Sequence, residues 1–432
     1  MLQLPQPKTQ PGFAEFLIMM ALSMSVVALA IDTLLPAHGL IGAEFAVART
    51  NDTQYIVYSL FLGLGLGQLF FGPLADAIGR RPAVLWGLAL FALGTLVSLF
   101  AEDYAIMLIG RFLQGIGVSA PRVLTITIVR DLFVGRQMAR MMSFVASLFI
   151  LVPAIAPALG QGLILLSGWR SILLSYLVLA AALSLWFVFR QPETLATQYR
   201  QSLAPGRIIA NIGVVIGTPA AVGFTLAATA NSSAFIAFLG TAQQVFVDQY
   251  GLGNRFPLAF GLLALSIGIS MFINGKIVLR LGMRWLATTA AIMTLVTSIV
   301  YVGFAVYFDG HPPLWILMPI LMLLFMFIGF LFGNLNALAM EPLGHLAGTA
   351  AAVIGAFQTV VSAVFAAIGG EFYNGSVTPL ASIFAGWSVV TLITVVVSDR
   401  LTRAAPAGPG SLEPEGEPGV GNQSVDQRLT KR

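Results

Sequence analysis

The chain is a succession of apolar runs, each of membrane length, parted by short polar loops. A membrane-crossing helix needs about 20 mostly apolar residues. Cutting at charges and at Gly/Pro clusters gives six runs before Arg190, at 13–39, 53–75, 82–101, 104–128, 141–166 and 170–189. Six more follow, at 217–241, 256–279, 285–308, 314–339, 347–371 and 378–398. Hydrocarbon offers no partner to a backbone N–H or C=O, so runs of this length must be helices. The expected fold is an all-α membrane protein with twelve transmembrane helices in two six-helix halves. The longest polar interruption, 191–207, holds Pro192, Arg200, Pro205 and Arg207. It is the expected cytoplasmic linker between an N-terminal half, 1–190, and a C-terminal half, 208–398. The stretch 208–216 reads as a surface helix leading into the seventh span. Residues 399–432 are rich in Pro and Gly and carry Glu413, Glu415 and Glu417, a composition expected to be disordered.

One loop, Gly72-Pro73-Leu74-Ala75-Asp76-Ala77-Ile78-Gly79-Arg80-Arg81, lies between the second and third runs. A worn copy lies 203 residues later, where Gly275, Gly282 and Arg284 repeat the spacing of Gly72, Gly79 and Arg81. The bundle therefore reads as a duplication. Repeated halves in transporters enclose a site near the membrane midplane and rock about it.

Composition agrees with membrane residence. Hydrophobic residues make up 58% of the 432 and charged residues 9%, with a mean hydropathy of +0.90. A soluble domain carries about a quarter charged residues. The net charge of +4 and the pI near 9.5 imply no nucleic-acid partner, because the basic residues are segregated. Arg49, Arg170 and Arg255 fall on one side, and Arg111 and Arg122 fall inside runs. The others, from Lys8, Arg80 and Arg81 to Lys431 and Arg432, share the opposite side. This is the positive-inside asymmetry. It predicts a multi-pass protein of the cell (inner) membrane with both termini in the cytoplasm.

Other chemistries lack their residues. There is no cysteine, hence no disulfide framework or thiolate metal site. The run from Phe13 to about Pro36 exceeds a signal-peptide core of roughly 7–15 residues and reads as an uncleaved first span. No G-x-x-x-x-G-K-[ST], H-E-x-x-H or G-x-S-x-G stretch occurs, so neither direct ATP coupling nor hydrolysis is expected. Gly63, Gly65 and Gly67 lie inside the second run with no Lys after them, and read as small residues that let helices approach closely. No enzyme activity and no cofactor are expected.

Three charges inside runs stand out. A mid-membrane carboxylate costs about 2.5–3.5 kcal/mol on insertion scales, so Asp32 should face a cavity or a partner. It reads either as a proton or cation acceptor, or as an outer helix end marked by Pro36, His38 and Gly39. Arg111 lies about 10 Å below the outer end of its span, at the depth of Asp32. A buried Arg needs an anion, so the two are expected to sense each other, directly or through water, or to form a static pair. Arg122 follows eleven residues later on the same helix face to within about 20°. It reads as a ligand for an anionic substrate group, as the partner of an unidentified acid, or as a side chain snorkelling to the inner surface.

The motifs point to a family. Gly72–Arg81 matches G-x-L-A-D-x-x-G-R-R, and Arg111-Phe112-Leu113-Gln114-Gly115-Ile116-Gly117 matches R-x-x-Q-G-x-G. On these the chain, from about residue 13 to 398, resembles the major facilitator superfamily. Ile31-Asp32-Thr33-Leu34-Leu35-Pro36, Val129-Arg130-Asp131-Leu132-Phe133 and Met340-Glu341-Pro342-Leu343-Gly344 resemble its drug:proton antiporter branch, the Bcr/CflA-type multidrug efflux transporters. The fifth span carries Pro153, Pro157 and Gly160, but Val152, Ala156 and Gln161 replace three glycines of the antiporter pattern. Arg122 stands where the branch has a small residue.

The resemblance implies a major facilitator fold and an acid in the first helix used for coupling, which here is Asp32. It also implies a gate. Asp76 would accept from the start of the eleventh helix, near Ala347–Thr349, and link to Arg130. Gly72, Gly79, Arg80 and Arg81 would complete the loop. Leu279 stands where Asp76 does in the second copy, so the gate is asymmetric. Gln114, Asn231, Ser232, Ser233, Gln243, Asn334, Asn336 and Gln358 are cavity candidates or interhelical hydrogen bonds. Tyr55, Tyr58, Phe235 and Phe238 are cavity walls or lipid-facing. His311 and His345 fall in loops.

The expected function is export of small, partly hydrophobic compounds driven by inward proton flow, with Asp32 and Arg111 coupling the proton. The expected partners are a small-molecule substrate, protons and lipid, around a monomer. Proton-coupled uptake of a metabolite is the alternative.

Overall fold

The computed structural model describes residues 11–200 and 205–404. Among them, twelve helices are long and apolar enough to cross a membrane. We label these α1 (Phe13–Asp32), α2 (Tyr55–Ile78), α3 (Arg80–Leu99), α4 (Tyr104–Leu132), α5 (Gly135–Ser167) and α6 (Arg170–Arg190) in the first half. The second half holds α7 (Pro219–Gln243), α8 (Phe256–Leu281), α9 (Met283–Tyr307), α10 (Leu314–Met340), α11 (Ala347–Gly370) and α12 (Thr378–Ala404). A helix over Pro205–Ile216 leads into α7.

Chain punctuation explains the ends. Gly79, Gly168 and Gly282 stop α2, α5 and α8 at φ values of +108°, +76° and +80°, where a left-handed residue closes a helix and glycine carries no Cβ penalty. The Asp103 carboxylate caps α4 by accepting from the Ile106 N–H at 2.9 Å. Two ends differ from expectation. The first span breaks after Asp32, then resumes as a 3₁₀ turn at Leu35–Ala37 and a helix at His38–Glu44. At the other terminus α12 runs to Ala404, so the disorder expected from 399 is corrected for 399–404. Asp399 is held there by Arg284 at 3.0 Å. Residues 405–432, Lys8 and the side chains of Arg207 and His345 lie outside the described residues.

Packing follows small residues. A Cβ on Gly63 would run into the carbonyl of Phe112, one on Gly115 into that of Leu60, and one on Gly67 into Ser119. These contacts press α2 against α4. Gly65 faces the opposite way, toward Val360 and Ala356 of α11. The halves meet along α2–α11 and α5–α8. Large apolar side chains such as Trp86, Leu166 and Trp315 point outward, 65%, 81% and 75% exposed, which suits lipid rather than water. After Gln243 the seventh span widens into a π turn over Gln244–Gln249, a local departure often found at functional sites.

Candidate functional site

The Gly79 loop, the 191–200 segment and the α4 C-terminus share one end of the bundle, here the loop end; Arg49, Glu44 and Glu371 mark the far end. The charged interior is built on α1, α2 and α4. Arg111 is fully buried. Its Nε donates to the Ile56 carbonyl at 3.2 Å, Nη2 to the Ala30 carbonyl at 2.8 Å, and Nη1 to Gln114 Oε1. The direct ion pair with Asp32 is therefore not made. The guanidinium finds its acceptors in two backbone carbonyls and an amide, which satisfy its fork without a carboxylate.

Asp32 has no hydrogen-bonding or charged partner among the described residues. It closes α1, yet it is 5% exposed, because the span continues beyond it to Glu44. That excludes an exposed helix end. The route from Arg111 to Asp32 is indirect. Tyr176 donates to the Ala30 carbonyl at 3.3 Å and also meets the Thr33 hydroxyl, next to Asp32. His38 is buried in the same region with both ring nitrogens unpartnered. In the sequence it marks only a helix end.

Arg122 is half-buried. It has no hydrogen bond or ion pair among the described residues, and no acid stands near it. Gln114 is turned away from the second half. It links Arg111 to Thr95 of α3, at 3.0 Å to the latter, and is a packing bridge inside the first half.

The loop residues form a fastening that differs from the expected gate. Arg80 pairs with Asp76 and, at 3.1 Å, with Asp131. Asp76 thus faces Arg80, one turn away, and not Arg130. The nearer cation takes the carboxylate. Arg130 instead comes within 4.0 Å of where a Cβ on Gly348 would stand, across the divide at the start of α11. Gly72 makes no close approach, since a Cβ there would rest in ordinary contact with Ala352. Gly79 matters for a different reason: at its φ of +108° any side chain is strained, and a Cβ there would also meet the Glu193 carboxylate.

Glu193 caps α3 from the linker, accepting from the Arg80 N–H at 2.8 Å and the Arg81 N–H at 3.2 Å. Those are orphan donors at a helix N-terminus, where the dipole favours an anion. Arg81 is buried against the carbonyls of Phe187 and Val188 at the end of α6. In the second copy Arg284 alone joins Glu341 and Asp399, at 3.0 Å each, and Leu279 is 92% exposed.

Sequence reasoning missed the far end, where the halves are laced together. Glu371 accepts from Tyr55 at 2.7 Å and from Arg49 at 3.0 Å. Asn51 donates to the carbonyls of Glu371 and Tyr373 at 3.1 and 2.9 Å. Gln54 donates to Gln244 at 2.6 Å, and Gln244 to the Thr50 carbonyl at 2.9 Å. Burial pushes the Tyr373 phenol up to about 12, so it remains a donor, to the Gln244 carbonyl at 3.2 Å. Tyr55 and Tyr58 belong to this lacing, Tyr58 donating to Gln54 at 2.9 Å.

Most remaining polar candidates pair between or within helices. Gln358 donates to Ser232 at 2.7 Å, Asn334 to Asn274 at 2.7 Å, and Asn336 to the carbonyl of Phe332 in its own helix at 2.8 Å. Ser233 bonds back to Thr229 at 2.8 Å, and Gln243 to Asp248 at 3.0 Å. Asn231 is buried with its side-chain nitrogen unpartnered. Phe235 and Phe238 pack on Phe325 of α10. His311 lies in the α9–α10 loop.

Two six-helix halves laced at one end, with unpartnered charges in their interior, define a membrane carrier. The chain belongs to the Major Facilitator Superfamily, whose sequence model matches residues 12–367. It is 26% identical over 84% of its length to a bicyclomycin resistance protein homolog of Haemophilus influenzae, covering 90% of that protein. It is 25% identical over 82% of its length to multidrug resistance protein D of Escherichia coli, covering 88% of it. The crystal structure of a D-xylose-proton symporter shares the fold, with a TM-score of 0.68 and 14% identity over 89% of this chain and 97% of that one. The chain is thus a multi-pass transporter of small molecules, not an enzyme.

Proposed function

We propose that this transporter exports small, partly hydrophobic compounds and is driven by protons moving inward through Asp32. One observation carries the reading. Asp32 is the single acid deep inside the described spans, and it has no partner. A carboxylate held so can accept a proton without first breaking a salt bridge. Arg111 is the positioning residue: it holds the Ala30 peptide two residues before Asp32. The names of the bicyclomycin and multidrug resistance relatives support export.

Alternating access supplies the rest. The far-end lacing closes one side, while the ion pairs seen at the loop end, Arg80–Asp76, Arg80–Asp131, Arg190–Glu15 and Arg284–Glu341, each stay within one half. With the basic loops in the cytoplasm of an inner-membrane monomer, this is the state that loads cargo from inside. The division at 191–207 is the proposed hinge between rocking units. Asp76, Gly79, Arg80, Arg81 and Arg130 set the loop-end closure, with Gly72 lying beside them. Asn231, Ser232, Asn334, Asn336 and Gln358 are proposed cavity contacts.

Expression in a host stripped of its own pumps tests the reading. Tolerance to several unrelated toxic compounds should rise, and Asp32→Asn should abolish the gain while the protein still inserts. Flat tolerance, with a labelled metabolite accumulating under an imposed proton gradient, would establish uptake instead.

A further inference from the structure

Arg122 lies inside a span. Eight residues, about 12 Å of helix, separate it from Arg130, and eleven, about 16 Å, separate it from Arg111. On α4 it shares a stripe with Arg111 and Gly115, and Ile126 and Arg130 follow within about 80°. Gly115 packs on Leu60 of α2. Closer to the loop end the stripe emerges: Ile126 and Arg130 are exposed, and Arg130 reaches toward Gly348 of the second half. Arg122 is half-buried on this stripe, between packed Gly115 and exposed Ile126 and Arg130.

Among the described residues, no acid is placed to neutralise it. In the first half, Asp32 sits at the depth of Arg111, Asp76 is held by Arg80, and Glu15 is held by Arg190 at 2.5 Å. In the second half, Asp309 is the only acid between Asp248 and Glu341, and it lies in the α9–α10 loop at the far end. Glu341 itself is taken by Arg284. A cation kept within a span without a partner is costly, so an anion from outside the described bundle would stabilise it.

We propose that Arg122 is an anion-binding subsite of the inter-half cavity, and that the cargo carries an acidic group, a carboxylate or its equivalent, on an apolar body. This deepens the reading of the chain as an exporter, but its test needs neither gradient nor direction. The purified full-length protein in zwitterionic-lipid nanodiscs is titrated with naphthalene-2-carboxylate and with naphthalene-2-carboxamide, its neutral isostere, by calorimetry. A charge-assisted bond predicts about tenfold or greater preference for the acid. Arg122→Gln should erase that preference while leaving the weaker amide affinity unchanged, and Arg122→Lys should keep most of it. A parallel titration in nanodiscs containing phosphatidylglycerol separates cargo from lipid. Loss of the preference there would make a lipid headgroup the occupant and overturn an acidic cargo. So would a wild-type protein that binds the two probes equally or binds neither, or an Arg122→Gln protein that still prefers the acid. Failure of the tolerance assay with the acid preference intact would refute export alone.

Discussion

Tyr55 donates its phenolic proton to Glu371 at 2.7 Å, and the bond crosses from one half of the bundle to the other. Arg49 reaches the same carboxylate at 3.0 Å. The acid therefore gathers two donors from the start of the second span and its approach, and fastens them to the end of the eleventh. The Arg49 side chain is 63% exposed and that of Glu371 32%, so solvent weakens the ionic part.

Glu371→Gln should loosen the far end without unfolding the protein. Losing about 0.5–1 kcal/mol from the closed state should raise labelling of a cysteine placed at buried Ala363 by about two- to fivefold. The chain has no cysteine of its own, so a single reporter is clean. Unchanged labelling would mean that Glu371 does not hold the closure.

Arg111→Lys should fail although it keeps the charge. The native fork reaches Ile56, Ala30 and Gln114 in three directions, and an ammonium on a flexible stem does not reproduce that geometry. Each buried acceptor left unpaired costs about 1–3 kcal/mol. Transport in proteoliposomes should fall at least about tenfold. Wild-type rates would show that charge alone suffices.

Removing the linker carboxylate should destabilise the third helix. Glu193→Ala leaves the Arg80 and Arg81 N–H groups without their cap, a loss of about 1 kcal/mol. Thermal unfolding in detergent should begin at lower temperature. An unshifted transition would make the cap ornamental.

Two glycines of similar appearance should behave in opposite ways. Gly115→Val drives a side chain into the carbonyl of Leu60, whereas Gly275→Val meets nothing within 4 Å at its Cβ. The first should abolish monodisperse protein in size-exclusion chromatography, and the second should leave it intact. Equal yields would contradict the close packing of α2 on α4.

The spans were legible because length and apolarity are local properties, and the glycines of α2 announced close packing by spacing alone. The far-end lacing was not legible. Asn51, Gln54, Gln244 and Glu371 are distant in sequence, and each alone looks like an ordinary helix-end residue. Arg111 shows a second limit. Its charge suggested a charged partner, but its acceptors are mostly carbonyls, which carry no signature of residue type. For Asp76 the resemblance implies a distant partner, whereas in this structure Arg80, one turn away, holds the carboxylate. The extension of α12 was hidden because Asp399 reads as a helix end until Arg284 is seen beside it.

The Ala30 carbonyl accepts both Arg111 at 2.8 Å and Tyr176 at 3.3 Å. The junction between these two side chains is therefore a peptide oxygen, present whatever residue stands at 30. A scan that replaces side chains one by one would pass over position 30 in silence. Only its two donors, read together in a double-mutant cycle, would betray it.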